Sequence, residues 1–256
     1  MKIATYNVNS IRARLDRLVA WLGRAQPDVV CLQELKVPDE EFPFEPLTAL
    51  GYRAVVIGQR TYNGVAILSK VEPTDVVTGF DGDPTDTQAR VIGASIGGVR
   101  VISVYVPNGQ EVGSDKWTYK LQWLARFKAW VSVTYAPDQA LVICGDYNVA
   151  PEDRDVARPD EWRDSVLCHA DARRALAHLV EWGLVDTIRL HHEGPGPYSW
   201  WDYRMLGFPK GNGLRIDHIL ATESVATRCT NAWVERDERK GKLPSDHAPV
   251  MAEFRE

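Results

Sequence analysis

Residues 140–148 read Ala140-Leu141-Val142-Ile143-Cys144-Gly145-Asp146-Tyr147-Asn148, a strand-forming run that stops at a glycine and delivers an aspartate and an asparagine. The arrangement recurs along the chain. Asn7 follows Lys2-Ile3-Ala4-Thr5-Tyr6, Glu34 follows Val29-Val30-Cys31-Leu32-Gln33, and Asn108 follows Val101-Ile102-Ser103-Val104-Tyr105-Val106-Pro107. Asp217-His218 lies inside Leu214-Arg215-Ile216-Asp217-His218-Ile219-Leu220, and Ser245-Asp246-His247-Ala248 adjoins the last apolar run. The chain therefore reads as one site assembled from many strand ends.

At 256 residues and 45% hydrophobic content, one large core is within reach, and a single domain over 1–256 is expected. Cys31, Cys144, Cys168 and Cys229 show no Cys-x-x-Cys spacing; Cys31 and Cys144 lie in apolar runs, which suits reduced core thiols in a cytoplasmic protein. The chain opens directly into a strand, without a secretory signal, and no apolar run reaches the roughly 18 residues of a membrane span. Neither a membrane partner nor a coiled-coil seam is indicated, and a monomer is expected.

The net charge of −5 argues against indiscriminate binding of nucleic acid through a large basic surface. It leaves room for a local one. Carboxylates gathered in one cleft would hold much of the negative charge and need a cation. Arg12, Arg14, Arg17, Lys36, Arg90, Lys116 and Lys120 are then candidates for a basic rim.

Ser10 caps an expected helix to about Gln26, where Ile11, Leu15, Leu18, Val19 and Leu22 repeat at helical spacing and Pro27 ends the pattern. With the runs on either side it forms a βαβ unit. Strands at 53–57, 64–68, 74–78, 89–96 and 99–106 follow, with Gly97-Gly98 as a hairpin turn. A second helix over 115–135 presents Trp117, Leu121, Leu124, Phe127 and Val131, and a third near 169–182 packs Leu176, Leu179 and Val180. The second half thus echoes the first. Segment 150–168 reads as a long functional loop, and 193–213 as a second irregular stretch rich in aromatics.

Hydrolysis of a phosphodiester needs charge neutralisation, an aligned water and stabilisation of the leaving oxygen. Asn7, Glu34 and Asp246 offer two carboxylates and one amide, a hard-oxygen set that suits magnesium or manganese over zinc. Asp217 is the natural partner to orient His247 and favour its charged form. Asp146 can position the water as general base with help from the Asn148 amide, and Tyr105 can donate to the phosphate. Singly, an aspartate in a Gly-Asp-x-Asn turn usually serves its own backbone, and an adjacent Asp-His pair is usually surface polarity. Recurrence at several strand ends is what points to a site.

Taken in order, Tyr6-Asn7-Val8-Asn9, Leu32-Gln33-Glu34, Tyr105-Val106-Pro107-Asn108-Gly109, Gly145-Asp146-Tyr147-Asn148-Val149-Ala150-Pro151, Arg215-Ile216-Asp217 and Ser245-Asp246-His247 resemble the bacterial exonuclease III family, the abasic-site branch of the exonuclease-endonuclease-phosphatase superfamily. The likeness runs from residue 2 to about 254. It implies a four-layer α/β sandwich, two mixed β-sheets packed face to face and flanked by helices. It also implies a magnesium-dependent nuclease that cuts duplex DNA 5′ to abasic sites, degrades strands 3′→5′ and cleans 3′ ends. By the resemblance, Asn7 and Glu34 belong to the metal site, with Asp246 a direct or water-mediated ligand and Asp146 with Asn148 open to a second ion. Asp146 becomes the base, Asn148 a phosphate contact, Tyr105 and Asn108 phosphate or transition-state contacts, and His247 is oriented by Asp217. Trp200 matches an aromatic of the abasic-sugar slot, which Leu214 and Ile216 can line, and Tyr62-Asn63-Gly64 matches a DNA-contacting turn. Two positions depart from the pattern: Leu35 replaces a usual threonine, and Leu214 stands where the animal enzymes carry tryptophan, which bears on the balance of abasic cleavage and exonuclease action.

Superfamily hydrolases of RNA, inositol phosphates or phospholipid headgroups share the Asp-Asn and Asp-His elements. The Tyr105–Gly109 stretch, Trp200-Trp201-Asp202-Tyr203-Arg204 and Pro151-Glu152-Asp153-Arg154-Asp155-Val156 side instead with DNA repair. An inactive damaged-DNA binder would be expected to lack a metal or water-positioning residue, and all are present.

Overall fold

The computed structural model describes residues 1–80 and 86–255. Its strands are β1 (Lys2–Asn7), β2 (Val29–Gln33), β3 (Arg53–Ile57), β4 (Val65–Ser69), β5 (Thr74–Thr78), β6 (Val91–Ile96), β7 (Val99–Tyr105), β8 (Leu141–Asp146), β9 (Leu184–Asp186), β10 (Asp217–Thr222), β11 (Cys229–Val234) and β12 (Val250–Phe254). The helices are α1 (Ile11–Ala25), α2 (Phe44–Ala49), α3 (Asp115–Thr134), α4 (Pro159–Trp162), α5 (Ala170–Val180) and α6 (Glu223–Ala226). Two six-stranded sheets form, ordered β11-β12-β1-β2-β4-β3 and β5-β6-β7-β8-β10-β9. At the centre of each, two strands run parallel, β1 with β2 and β7 with β8, and every other pairing is antiparallel. The second sheet repeats the pattern of the first, as the echo in the sequence suggested. The expected four-layer sandwich is what the chain forms.

The two-residue period of a strand decides what faces the seam between the sheets. Ala4, Tyr6, Val30 and Leu32 meet Leu18, Trp21 and Leu22 of α1 on one outer face. Ile102, Val104, Leu141 and Ile143 meet Trp123, Leu124 and Phe127 of α3 on the other. The intervening positions, among them Ile3, Val29, Cys31, Val101, Val142, Cys144 and Ile219, fill the seam. With both faces covered, these strands need no polar alternation, which is why they read as continuous apolar runs.

Carried to the strand ends, the same alternation aims Asn7, Tyr105, Asp146 and Asp217 into the mouth of the seam. The change from apolar to polar begins one pair lower. There Thr5 Oγ1 donates to Gln33 Oε1 (3.2 Å), Gln33 Nε2 to Ser103 Oγ (3.1 Å) and Ser103 Oγ to the Leu32 carbonyl (3.4 Å).

The long helices form where their spacing indicated. Gln26 takes a left-handed conformation (φ 45°) and its N–H closes on the Leu22 carbonyl, ending α1 just before Pro27. Ser114 Oγ accepts from the Trp117 N–H (3.1 Å) at the start of α3. Ser114→Ala should cost about 1 kcal/mol, seen in thermal melting as a fall in Tm of about 2–4 °C for a chain of this size. Gly97 and Gly98 both have positive φ (56° and 82°), as a tight hairpin between right-twisted strands requires. The helices α2 and α6 and the three-residue β9 went unread because none is long enough to display a period. Segment 150–168 is less irregular than expected, since it holds α4, and Val156 forms a bridge with Leu214. All four cysteines are free, and Cys31, Cys144 and Cys168 are buried.

Three of the residues expected on the basic rim are held elsewhere. Lys120 is fully buried, because α3 turns this side chain inward, where backbone carbonyls wait for it. Arg14 and Arg17 are also committed internally: Arg14 bonds the Asn9 and Pro244 carbonyls, and Arg17 those of Glu238, Lys240 and Lys242. Lys116 remains exposed.

Candidate active site

Three strand exits converge first. Asn7 Nδ2 donates to Glu34 Oε1 (2.8 Å) and to Asp146 Oδ2 (2.9 Å), while its Oδ1 accepts from the Asn9 N–H (2.9 Å). Glu34 reaches this position because its backbone is left-handed (φ 52°), as is that of Asn148 (φ 50°). Such conformations are unfavourable for residues with a Cβ and persist where surrounding structure holds them. Gly145 is dictated by packing: a Cβ there would lie 1.8 Å from the Val104 carbonyl oxygen of the adjoining strand. Asp146 then accepts the Asn148 N–H on Oδ1 (2.8 Å), and the Asn148 amide donates to the Val106 carbonyl (3.0 Å) and accepts from Asn108 Nδ2 (3.0 Å).

A second string of groups enters from β10 and the segment before β12. His247 Nδ1 lies 2.9 Å from Asp217 Oδ2, and its Nε2 lies 3.7 Å from Asp146 Oδ2. Ser199 Oγ donates to Asp217 Oδ2 (2.6 Å) and accepts from the N–H groups of Ile216 and Asp217 (3.1 Å each). Ser245 ties the string to the first sheet: its Oγ donates to the Asn7 carbonyl (2.7 Å) and accepts from the His247 N–H (3.2 Å). Beside it, Asp246 takes N–H bonds from Asn9 Nδ2 (2.8 Å) and Trp200 Nε1 (2.9 Å).

Burial pushes the Asp146 carboxyl up to about 7; Asp217 and Glu34 add to the rise, and His247 with the Asn7 N–H oppose it. Burial works against the charge on His247, but Asp217 and Asp146 outweigh it and hold the ring at about 10. Burial, Glu34 and Asp146 together raise the Tyr105 phenol well above its usual value, so it stays a hydrogen-bond donor. Burial opposes ionisation of Asp246 as well, yet His247, Trp200 and Asn9 keep it below the ordinary carboxylate range. A carboxylate able to take a proton thus faces a charged imidazole, the pairing that acid–base chemistry near neutrality requires.

Ligand atoms of Glu34, Asp146 and His247 lie within 4.8 Å of one another, a grouping that can hold a metal ion. The hard donors of that group are the two carboxylates, which meet at a single amide nitrogen, that of Asn7. Asp217 and Asp146 hold the His247 ring charged up to about 10 against its burial, so it suits the group better as a cation than as a ligand. Lys36 Nζ pairs with Glu34 Oε2 (2.9 Å), and the remaining carboxylate oxygens of Glu34 and Asp146, which meet at the Asn7 amide, fit a hard cation. Asp246 stands to one side, with both oxygens engaged by Asn9 and Trp200.

Two grooves meet at Asn108. One, of about 770 Å³, is lined by Glu34, Tyr62, Arg90, Tyr105 and Lys116 among others, and Tyr62 is 68% exposed at its lip. There the Arg90 guanidinium covers the Tyr105 ring at 4.8 Å. The other, of about 610 Å³, is bounded by Trp162, Val166, Leu167, Trp200 and Asp246. Trp200 packs edge-on against Trp162 at 5.6 Å. Leu214 and Ile216, expected to line this slot, are instead buried in the core, 0% and 1% exposed; Leu214 is bridged through its backbone to Trp200 and Val156, and so backs the wall. Trp162, Ser199 and Asn9 were given no role by the sequence reading, and Lys36, expected on the basic rim, lies against Glu34 Oε2 (2.9 Å) and Asn9 Oδ1 (2.6 Å). Of the side chains missed, Ser245 alone had a local signal, a serine two residues before His247 in a turn-like Ser-Asp-His run.

The sequence profile of the Endonuclease/Exonuclease/phosphatase family matches residues 4–247. The chain belongs to this family. Within it, the chain is 37% identical over 267 aligned residues, the whole of both proteins, to exodeoxyribonuclease III of Haemophilus influenzae. Among solved structures it resembles an AP endonuclease from Archaeoglobus fulgidus, with TM-score 0.96 and 44% identity over 99% of each chain. It is equally close in fold, at TM-score 0.96, to the 3′ phosphatase NExo from Neisseria bound to a product DNA hairpin, with 41% identity over 100% of this chain and 99% of that one. Family membership accounts for the order of the site residues along the chain. The double-sheet frame holds, at the mouth of one seam, groups drawn from β1, β2, β7, β8, β10 and the approach to β12. Among the described residues, no helix is long and apolar enough to cross a membrane.

Proposed function

We propose that this chain is a DNA repair nuclease that hydrolyses the phosphodiester 5′ to abasic sites in duplex DNA and removes nucleotides 3′→5′ from its ends. The observation that carries this reading is the Asp217–His247–Asp146 string meeting the Asn7–Glu34 pair, with a groove on either side of Asn108 to take the strand. We read residues 1–256 as one domain acting as a cytoplasmic monomer.

Glu34 and Asp146 would hold a divalent ion, Mg²⁺ or Mn²⁺ by the hardness of the donors, which would supply charge neutralisation at the phosphate and a more acidic water; Asn7, expected as a ligand, instead spaces the two carboxylates through its amide N–H groups. Asp146 accepts the proton of the attacking water, its carboxylate aligned by the N–H groups of Asn7 and Asn148. The His247 imidazolium and the Tyr105 phenol counter the charge that builds on the phosphoryl oxygens. Asn108, seated on the Asn148 side-chain oxygen, has a second amide N–H to offer the phosphate, while the Asn148 amide is spent on the Val106 carbonyl and Asp146. Trp200, Trp162, Val166 and Leu167 give an apolar wall for a sugar that lacks its base, in a groove whose other lining includes Glu111, Asp164, Asp202 and Arg204.

The neighbouring 3′ phosphatase suggests that a terminal phosphomonoester is also a substrate for this arrangement. A polymer strand remains the better reading, because a groove leaves the site on both sides. The test is incision of an end-labelled duplex carrying one tetrahydrofuran abasic analogue, with Mg²⁺ or with EDTA, beside an intact duplex with a recessed 3′ end. Magnesium-dependent incision 5′ to the analogue is expected, with EDTA abolishing it. Failure to cut either duplex would reject the nuclease reading and turn attention to small phosphate esters.

A further inference from the structure

We propose that Lys120 is a positioning residue for the phosphate site: its ammonium fixes the backbones of Asn108 and Asn148 and ties both to the Val166 wall of the slot. The inference rests on the nuclease reading above and deepens it.

Lys120 Nζ donates to the carbonyls of Asn108 (3.1 Å), Asn148 (2.7 Å) and Val166 (2.6 Å), which uses all three N–H bonds of the ammonium. These carbonyls belong to three different connections, those after β7, after β8 and before α5. The first carries the exposed Asn108 amide and the second the buried Asn148 amide that supports it, the two being joined by the 3.0 Å bond from Asn108 Nδ2 to Asn148 Oδ1. One cation therefore sets the spacing of the pair from below while the side-chain bond sets it from above. The third connection carries Val166, which lines the slot together with Trp200. The stem is fixed too, since a Cβ at Gly109, where φ is +94°, would lie 2.9 Å from Lys120 Cδ. An apolar side chain would fill this space without the desolvation of a buried charge. What the ammonium adds is a three-way tie that no apolar group can make.

A neighbouring contact supplies the control. Arg173 Nε donates to the Ala150 carbonyl (2.9 Å), on the segment that leaves Asn148. Arg173→Met loosens this segment without touching the backbone of Asn108 or Asn148.

The experiment measures kcat and KM on the abasic-analogue duplex, with melting temperatures, for the parent, K120M, R173M, Asn148→Ala and the K120M/Asn148→Ala double variant. An inactive parent defeats the nuclease reading itself; an active parent makes the test of Lys120 valid. K120M is expected to lower kcat at least about tenfold with KM within about threefold, and R173M to melt earlier with kcat within about twofold. In the Asn148→Ala background, K120M should cost several-fold less than it does in the parent, because one of the two side chains it positions is already gone and only the Asn108 share remains. If K120M does not fold, K120Q keeps two N–H donors and should show the same loss of coupling. Parental kcat in K120M, an equal loss in R173M, or losses that multiply in the double variant each overturn the assignment.

Discussion

Replacing Asp146 with Asn is expected to lower kcat by about 10³-fold or more, while the Kd for duplex DNA changes by only a few fold. The substitution keeps the shape of the side chain and much of its hydrogen bonding, so strand binding in the two grooves should survive. What disappears is the group at the mouth of the seam that combines full burial, three N–H bonds and a carboxyl pushed up to about 7. Near-normal turnover in this variant would move the base elsewhere in the site.

The same substitution carries a stability signature of opposite sign. The folded-state value of Asp146 lies above the ordinary carboxylate range, so the folded protein holds a proton that the unfolded chain releases between about pH 4 and 7. The ionised carboxylate therefore destabilises the fold most fully above about pH 7, and the deficit fades as pH falls toward 4. In EDTA at pH 8, D146N should melt later than the parent by a few degrees, from a gain on the order of 1–3 kcal/mol. The gain should vanish near pH 4. Saturating Mg²⁺ should narrow or reverse it, because a cation favours the parent carboxylate. A buried carboxylate that weakens the fold is the cost of having a base at this position.

Asp146 was also the residue most legible in the sequence, for a physical reason. A strand that is buried on both faces shows as a continuous apolar run, and its end is marked by the first residue that cannot be buried without a partner. Asn7, Glu34, Asp146 and Asp217 all announce themselves in this way. The long amphipathic helices and the repeated strand–helix–strand unit were readable because their periods extend over many residues. The slot was not. Leu214 and Ile216 sit on an apolar run beside Asp217, and one-dimensional adjacency suggested that they face the same cavity, yet the two-residue alternation that aims Asp217 into the seam turns its neighbours away from it. Trp162 lies on a four-residue helix within a Pro- and Asp-rich stretch, and it reaches Trp200 only after chain separated by 38 positions has folded together. Lys120 defeated the reading differently: surface is the ordinary place for lysine, and the three carbonyls that bury it come from connections no local pattern relates.

Asp217→Asn is expected to cost about 10²–10³-fold in kcat near neutral pH and to move the alkaline limb of the pH–rate profile. Ser199 Oγ donates to Asp217 Oδ2 and is itself held by two backbone N–H groups, so its proton has a fixed direction. The carbonyl of the substituted amide would keep the Oδ2 position, which faces both Ser199 Oγ and His247 Nδ1, and the NH₂ would take the Oδ1 position 3.1 Å from Nδ1. A donor then crowds the Nδ1 proton, and no anion remains beside that nitrogen to hold the ring's charge. The carboxylate that contributes most to holding His247 at about 10 against its burial is removed in the same step. In the parent, kcat should rise as Asp146 deprotonates, through a value near 7 that bound Mg²⁺ moves lower. It should fall again as His247 loses its proton near 10, both values being those of a coupled set. In D217N the raised value is lost, so the charged ring survives only at lower pH and the falling limb should shift toward neutrality, closing the plateau. Profiles measured from about pH 5.5 to 10.5 on the abasic-analogue duplex distinguish this from a simple loss of packing, which would lower the whole curve without moving its limb. An unmoved alkaline limb would mean that another group carries the positive charge at the phosphate, and Arg90, stacked on Tyr105 at the opposite side of the site, would be the next to test.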